Sequence, residues 1–343
     1  LLLLTKFILC FIEKLVEIMS FIIVTIYDNS RWDRYIRNAH TFDFNHTWHY
    51  HSTFPGEPSL LVYEERDDYI ALPVVLNTLV DGCRSITGFA GPVASRNFAA
   101  MDNGIQERFE IAFLQYLKEK QITDSSILLH PLIHAAFKPV RTGRLQHHGD
   151  SLLIDLSLDP DTQQFLYGEN FGNTVSLLRR KGYTVRPAVS THDVDTFADI
   201  YNKNSMHLQS GCAHFDKAWF RQILRPSGFE SKLLLACQGT QITAGVLLTF
   251  CNDMMQLHLA ATHEHYLQHS PLHLLLAEAG NLGRTAGMQY FHLGGMGCKM
   301  DVLLASKAIT AETYPGFSTW HVAEKQIQNA WKNEYRQQLS MAV

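Results

Sequence analysis

The order of hydrophobic patterns in the second half of the chain constrains its fold most. Residues 162–181 carry a helical period that stops at Gly182, the residue type that most readily takes the left-handed conformation closing a helix. A strand-like run follows at 183–189, then helical patterns at 193–206 and 216–224, the first capped by Thr191 or Asp193. Runs 232–238 and 242–251 flank Gly239 and Thr240 as a hairpin, 254–261 is a third apolar strand, helix 272–286 ends at Gly287, and strand 288–293 runs into Gly294 and Gly295. Helix, strand, helices, three strands, helix, strand predicts a mixed sheet with helices on both faces, because each apolar face needs a covering layer.

The first half has a related order. The run 22–36 reads as a strand, a turn at Asp28 to Ser30 with Ser30 able to cap, and a helix presenting Trp32, Tyr35 and Ile36 on one face. Runs 59–64 and 69–75 make a hairpin around a charged turn, with Pro73 placed where a missing N–H costs least, at an edge or bulge. Strand 85–93 is interrupted by Gly88 and Gly91, and a helix over 106–120 precedes a buried strand at 126–130. A length of 343 residues suits two domains, each able to bury a core. The divisions expected are an N-terminal extension over 1–18, one domain over 19–160 and a second over 161–343. Met19 reads as the natural start, and residues 1–18, if part of the protein, as a short amphipathic helix capable of peripheral membrane contact, since Glu13, Lys14 and Glu17 interrupt their apolar run.

A net charge of −4 gives no electrostatic support for nucleic acid as a partner. The six cysteines, with no CxxC and no dense spacing, indicate neither a disulfide framework nor a zinc ribbon and fit a reducing, cytoplasmic setting. His263, His265, His269 and His273 lie within eleven residues, but Ser270 and Pro271 break the helix that would align them, and no HExxH is present. No metal is expected, and a metal-dependent hydrolase built on this group is the least favoured reading. No GxSxG elbow occurs, and GGMGCK lacks the spacing of a phosphate loop.

The segment 291–317 couples the Gly294–Gly295 turn to Asp301 and Lys307, a carboxylate able to orient an acceptor and an ammonium able to bind an anion or manage a proton. With the element order, this closing segment resembles the GNAT acyltransferase superfamily, and within it the FemAB-like branch of tandem-domain aminoacyl and acyl transferases. Leu293, Gly294, Gly295, Asp301, Lys307 and Phe317 stand where that branch has its LGG turn, acidic residue, lysine and downstream aromatic. The Trp32 helix, the HTWHY stretch from His46 to Tyr50, the hairpin reaching Leu72 and Pro73, and Gly91 and Pro92 resemble its N-terminal half. Ser306 departs from the aromatic residue usual before the lysine, and the helix before Gly182 keeps only Arg179, Arg180 and Lys181 of a more basic face. Less charged substrates are the consequence expected.

The resemblance implies an α/β fold of two tandem GNAT-like domains, each a mixed sheet flanked by helices, that moves an acyl or aminoacyl group onto an amine, as on a cell-envelope or polysaccharide precursor. It implies that Lys307 contacts the donor or stabilises developing charge, that Asp301 orients the amine, and that Gly294 and Gly295 permit close approach. His258, which alternates with Gln256 along its strand, Ser270 and Tyr50 are candidates for the cleft. Arg179 and Arg180 would grip a phosphorylated substrate, although complementing the helix dipole also explains them. No tightly bound cofactor is implied, the donor being an acyl-thioester or an aminoacyl-tRNA. Between 261 and 272 the chain has no glycine, so the backbone nest that cradles the acetyl-CoA pyrophosphate has no counterpart. A binding protein on the same fold is the alternative reading.

Overall fold

The computed structural model describes residues 20–78, 82–137, 139, 143–159, 162, 169–294 except 208–214, and 312–323. They form two compact units, the first made of the chain up to His147 together with the segment from Ser318 onward, the second of His148–Phe317.

The sheet of the first unit runs in the order β1 (Ile22–Thr25), β2 (Glu57–Glu65), β3 (Asp68–Thr78), β4 (Arg84–Gly88), β6 (Ile122–Leu129), β15 (Ser318–Ala323) and β7 (Arg144–His147), with β5 (Val93–Ala94) on β3. Helix α1 spans Asn29–Arg37, α2 Trp48–His51 and α3 Asn103–Glu119. Alternation in β2 explains how this sheet is covered on both faces. Leu60 and Val62 pack with Trp32, Tyr35 and Ile36 of α1, whereas Leu61 and Tyr63 join Phe109, Phe113 and Leu117 of α3. The cap of α1 is Asp28, whose carboxylate accepts from Arg31 N at 3.1 Å, and not Ser30. Pro73 lies within an inner strand, between the residues paired to β5 and those paired to β4, so the missing donor falls in a gap of the ladder.

In the second unit the sheet order is β14 (Glu312–Pro315), β8 (Asp150–Asp155), β13 (Tyr290–His292), β12 (Met254–Thr262), β11 (Gln241–Cys251), β10 (Glu230–Gln238) and β9 (Tyr183–Pro187). Its helices are α4 (Glu169–Arg180), α5 (Thr191–His207), α6 (Lys217–Ile223) and α7 (Leu272–Thr285). Helices α4 and α7 cover one face through Phe171, Val175, Leu178, Leu272, Leu275 and Ala279. Each fully buried leucine there contributes roughly 1.5–3 kcal/mol relative to exposure. On α5 and α6, Phe197, Tyr201 and Phe220 make an edge-packed aromatic group, and Gly245 of β11 brings Phe197 to where a Cβ would stand 2.5 Å away. The N-terminus of α5 is capped by the Ser190 hydroxyl rather than by Thr191 or Asp193. Asp193 instead accepts two hydrogen bonds from the Arg186 guanidinium and one from Val189 N, and the guanidinium bonds hold its carboxyl well below the usual range.

Two mixed sheets, each flanked by helices, are the architecture the resemblance implied. The division differs from the one expected at 160/161, because β8 is already paired into the second sheet and β15 returns to the first between β6 and β7.

Candidate active site

Each sheet contains one parallel pair among antiparallel neighbours. In the second unit it is β12 and β13, joined by α7, and its register covers only Met254↔Tyr290, Met255↔Phe291 and Gln256↔His292. Two features end the pairing there. The register between β11 and β12 steps from Leu247↔Leu259 to Leu248↔Leu257, so His258 is the extra residue of a β-bulge that bends β12. On β13, Leu293 N donates to Leu152 O of β8 at 3.0 Å, which commits the strand to its other neighbour, and Gly294 then turns with φ +78°. Past Gln256 and His292 the two strands are no longer paired among the described residues. His258 and Gly294, each two residues beyond the last pair, stand one on each strand there.

In the first unit the equivalent parallel pair, β4 and β6, stays joined from Arg84↔Ile122 to Gly88↔Ile127. A Cβ on Gly88 would meet Ile127 at 2.7 Å, and one on Gly91 would meet Leu129 at 2.5 Å and His134 at 2.6 Å. Side chains fill that region.

The floor beside the end of this pairing in the second unit is polar. Thr249, Gln256 and His292 are successive register partners across β11, β12 and β13. Their chain neighbours Leu248, Phe250, Met255, Leu257, Phe291 and Leu293 all belong to the apolar core under α4 and α7, so the three polar side chains project from the opposite face. All three are buried, and the Thr249 hydroxyl reaches no hydrogen-bond partner among the described residues. His292 Nδ1 accepts from Gly294 N at 3.2 Å, and its ring stands edge-on to Phe317 at 5.4 Å. Half-buried His258 lies 5.9 Å from the Trp219 ring of α6, which stacks on Phe215 at 3.9 Å. The sequence reading reached His258 through its alternation with Gln256. It missed His292, whose setting between Phe291 and Leu293 looks like core.

The other expected residues are elsewhere. Ser270 adopts a left-handed conformation, φ +54°, between the 3-10 turn Glu264–His269 and α7. Arg179 pairs with Glu278 of α7 at 2.7 Å, and Arg180 is exposed at the end of α4. Tyr50 belongs to the first unit, buried against Phe44, Phe54 and Phe89. Gly295, Asp301, Ser306 and Lys307 lie outside the described residues.

The connection from β12 to α7 shows what replaces a glycine loop. His263 caps the 3-10 turn, His269 Nδ1 and Tyr183 Oη are 2.6 Å apart, and Tyr266 Oη donates to Gln241 at 2.8 Å. At the start of α7, His273 N donates to Ser270 O, and Leu274 N and Leu275 N to Pro271 O, at 3.1 to 3.3 Å. Two donors that would face an anion, His273 N and Leu274 N, are thereby engaged by backbone carbonyls. Burial lowers the pKa of His273, whose Nδ1 lies 3.2 Å from Ser270 O. Among the described residues no group of three or more His, Cys, Asp or Glu is placed to share a metal ion, and no helix is long and apolar enough to cross a membrane.

Comparison with known proteins points to the same part of the chain. Residues 173–299, from α4 through β13, match the family model described as Acetyltransferase (GNAT) domain. No curated protein matches the sequence. Among solved structures, FemX is similar at 12% identity and a TM-score of 0.59, over 87% of this chain and 96% of that one. The C-terminal domain of a putative lysylphosphatidylglycerol synthetase from Agrobacterium fabrum is similar at 14% identity and 0.56, over 89% and 96%. A conserved protein of unknown function from Bacteroides thetaiotaomicron aligns at 9% identity and 0.55, over 88% and 99%. Over residues 173–299, which include β12 and β13, the chain is similar to a GNAT acetyltransferase domain, and over most of its length it shares the fold of these solved structures.

Proposed function

We propose that this protein is an acyl or aminoacyl transferase of the FemAB-like kind, working on an amine acceptor where the pairing of β12 and β13 ends in its second unit. The observation that carries this reading is the three-pair parallel register, ended on one strand by the His258 bulge and on the other by the handover of β13 to β8. Aminolysis of an activated acyl group asks for positioning, a donor to the developing oxyanion and a route for the amine proton. Where the pairing of parallel strands ends, unpaired backbone would be available to an extended acyl group. Lys307 would stabilise charge on the donor or the intermediate, Asp301 would orient the amine, and Gly294 and Gly295 would let the substrate approach the backbone.

The occupied N–H groups at the start of α7 favour a donor that is not held there by a diphosphate, which suits an aminoacyl ester better than acetyl-CoA. One structure of similar fold is the C-terminal domain of a putative lysylphosphatidylglycerol synthetase, and an aminoacylated lipid of that kind is in keeping with an envelope precursor as acceptor here. The test is transfer by the full chain from aminoacyl-tRNA and from acetyl-CoA to amine acceptors that include muropeptides and amino sugars, followed by mass spectrometry. A product heavier by the acyl group is expected. Lys307→Ala should abolish it at unchanged melting temperature, and equal losses of activity and stability would overturn the role given to the lysine.

A further inference from the structure

We infer that His292 is a substrate-contacting residue of this site, a neutral imidazole whose Nε2–H donates to the acyl carbonyl as the tetrahedral oxyanion forms. The inference rests on the acyl-transfer reading above. Three observations converge on it. Gly294 N, 3.2 Å from Nδ1, can only donate, so Nδ1 must accept, and the neutral ring then carries its proton on Nε2. The ring occupies the last paired position of β13, beside Gln256 at the last paired position of β12, where the pairing ends. It shares its face with the Thr249 hydroxyl, 1% exposed and without a hydrogen-bond partner, so this floor has hydrogen-bonding capacity that the described residues do not use.

The tautomer decides the chemistry. With Nδ1 engaged by backbone and Nε2 protonated, the ring is a donor and no general base, suited to negative charge developing on oxygen. In the transfer, the amine nitrogen bonds to the acyl carbon, the bond from that carbon to the carrier's oxygen or sulfur breaks, and the proton lost by the amine ends on the departing carrier. His292 keeps its own proton throughout. Gly294 thus has two duties, turning the chain and setting the tautomer.

Two substitutions separate this role from a structural one. His292→Asn retains an acceptor near Nδ1 for Gly294 N–H and removes the distal donor, whereas His292→Gln places an amide donor near Nε2 and gives up the acceptor. Transfer is measured with aminoacyl-tRNA and with acetyl-CoA, and the tautomer by ¹⁵N spectra of histidine-labelled protein. The expected results are a proton on Nε2, a fall in kcat of about 100-fold or more with little change in KM for Asn at unchanged melting temperature, and more activity in Gln than in Asn. A proton on Nδ1, wild-type kcat in Asn, or loss in Gln that matches Asn would overturn the inference and leave the transfer reading standing. A wild-type protein that transfers from neither donor would overturn both.

Discussion

Acidification should open the first unit well before it affects the second. Around α2 and the turn after β6, the chain buries Asp43, His46, His49, His51, His130 and His134. The Asp43 carboxylate lies 2.7 Å from His46 Nδ1. Burial alone would raise the Asp43 carboxyl, but the charge and hydrogen bond of His46 outweigh it and hold the group below its usual range. Among the described residues no carboxylate hydrogen-bonds to His51 or His134, and the charge of Asp43 offsets their burial only in part. Burial, with a smaller contribution from the charge of His46, lowers both to about 3. His51 Nδ1 is 3.3 Å from Thr47 O while Nε2 reaches no hydrogen-bond partner. His134 accepts from His130 N on Nδ1 at 2.8 Å and donates from Nε2 to Pro92 O at 2.9 Å, a pattern only the neutral ring satisfies in full. Nδ1 also lies 3.2 Å from His130 O, the one acceptor a second proton would find.

The sign of the pH effect follows. In the unfolded chain each ring has its ordinary value of 6.5, so below that pH the unfolded state binds protons the folded state refuses, and stability falls as pH falls until about 3. At pH 5 the penalty is about 2 kcal/mol per ring, on the order of 4 kcal/mol for both, against a typical total of roughly 5–15 kcal/mol. The depressed Asp43 adds nothing to this change, because its stabilisation is lost only as pH falls below the ordinary carboxylate value of 3.8. The assay is hydrogen exchange with mass spectrometry on the full chain between pH 7.5 and 5, corrected for intrinsic exchange, comparing peptides over 40–55 and 127–137 with peptides from β10 and β11. Protection should fall first in the 40–55 and 127–137 peptides, and His51→Phe should remove about half of the pH dependence. Equal protection at both pH values, or an unchanged slope in His51→Phe, would refute the reasoning.

Other outcomes follow from particular contacts. Gly245→Ala should destabilise the second unit by about 1–3 kcal/mol through overpacking against Phe197, read as a lower melting temperature. Asp43→Asn should cost about 1–3 kcal/mol, since it replaces one of the buried carboxylate oxygens that accept from Asn45 N and Nδ2 with an amide donor, and urea unfolding checks this. Arg179→Ala should change stability by at most about 1 kcal/mol, because its pair with Glu278 is largely solvent-exposed. If Arg179 instead grips a phosphorylated substrate, KM will rise while thermal stability stays the same.

The fold of the second unit was legible where the pattern was long and regular. The β10–β11 hairpin and α7 appear close to their expected places because each joins a sustained apolar period to a glycine stop, Gly239 with φ +60° or Gly287 with φ +74°, and β12 because its apolar run follows the Asn252 turn, φ +56°. The domain division was not legible. Strand β7 is short and mostly exposed, and β15 finds its partners β6 and β7 some 170 or more positions earlier in the chain, a pairing no local pattern encodes. Of the candidate site, the glycine turn and His258 could be read from a strand end and an alternation. His292 could not, because its chemistry comes from a backbone N–H two residues later and from a register spanning three strands. The histidine group from 263 to 273 shows the reverse case, in which a dense sequence signal resolves into separate partners, His269 with Tyr183 and His273 with Ser270.

The most direct test of the account is a crystal structure of the full chain with a non-transferable donor, either an amide analogue of a 3′-aminoacyl-adenosine or a ketone analogue of acetyl-CoA. The account predicts the acyl carbon between β12 and β13, just past Gln256 and His292, with its carbonyl oxygen within hydrogen-bond distance of His292 Nε2. A donor seated in the first unit, or on the α4 and α7 face with β12 and β13 closed beside it, would contradict it.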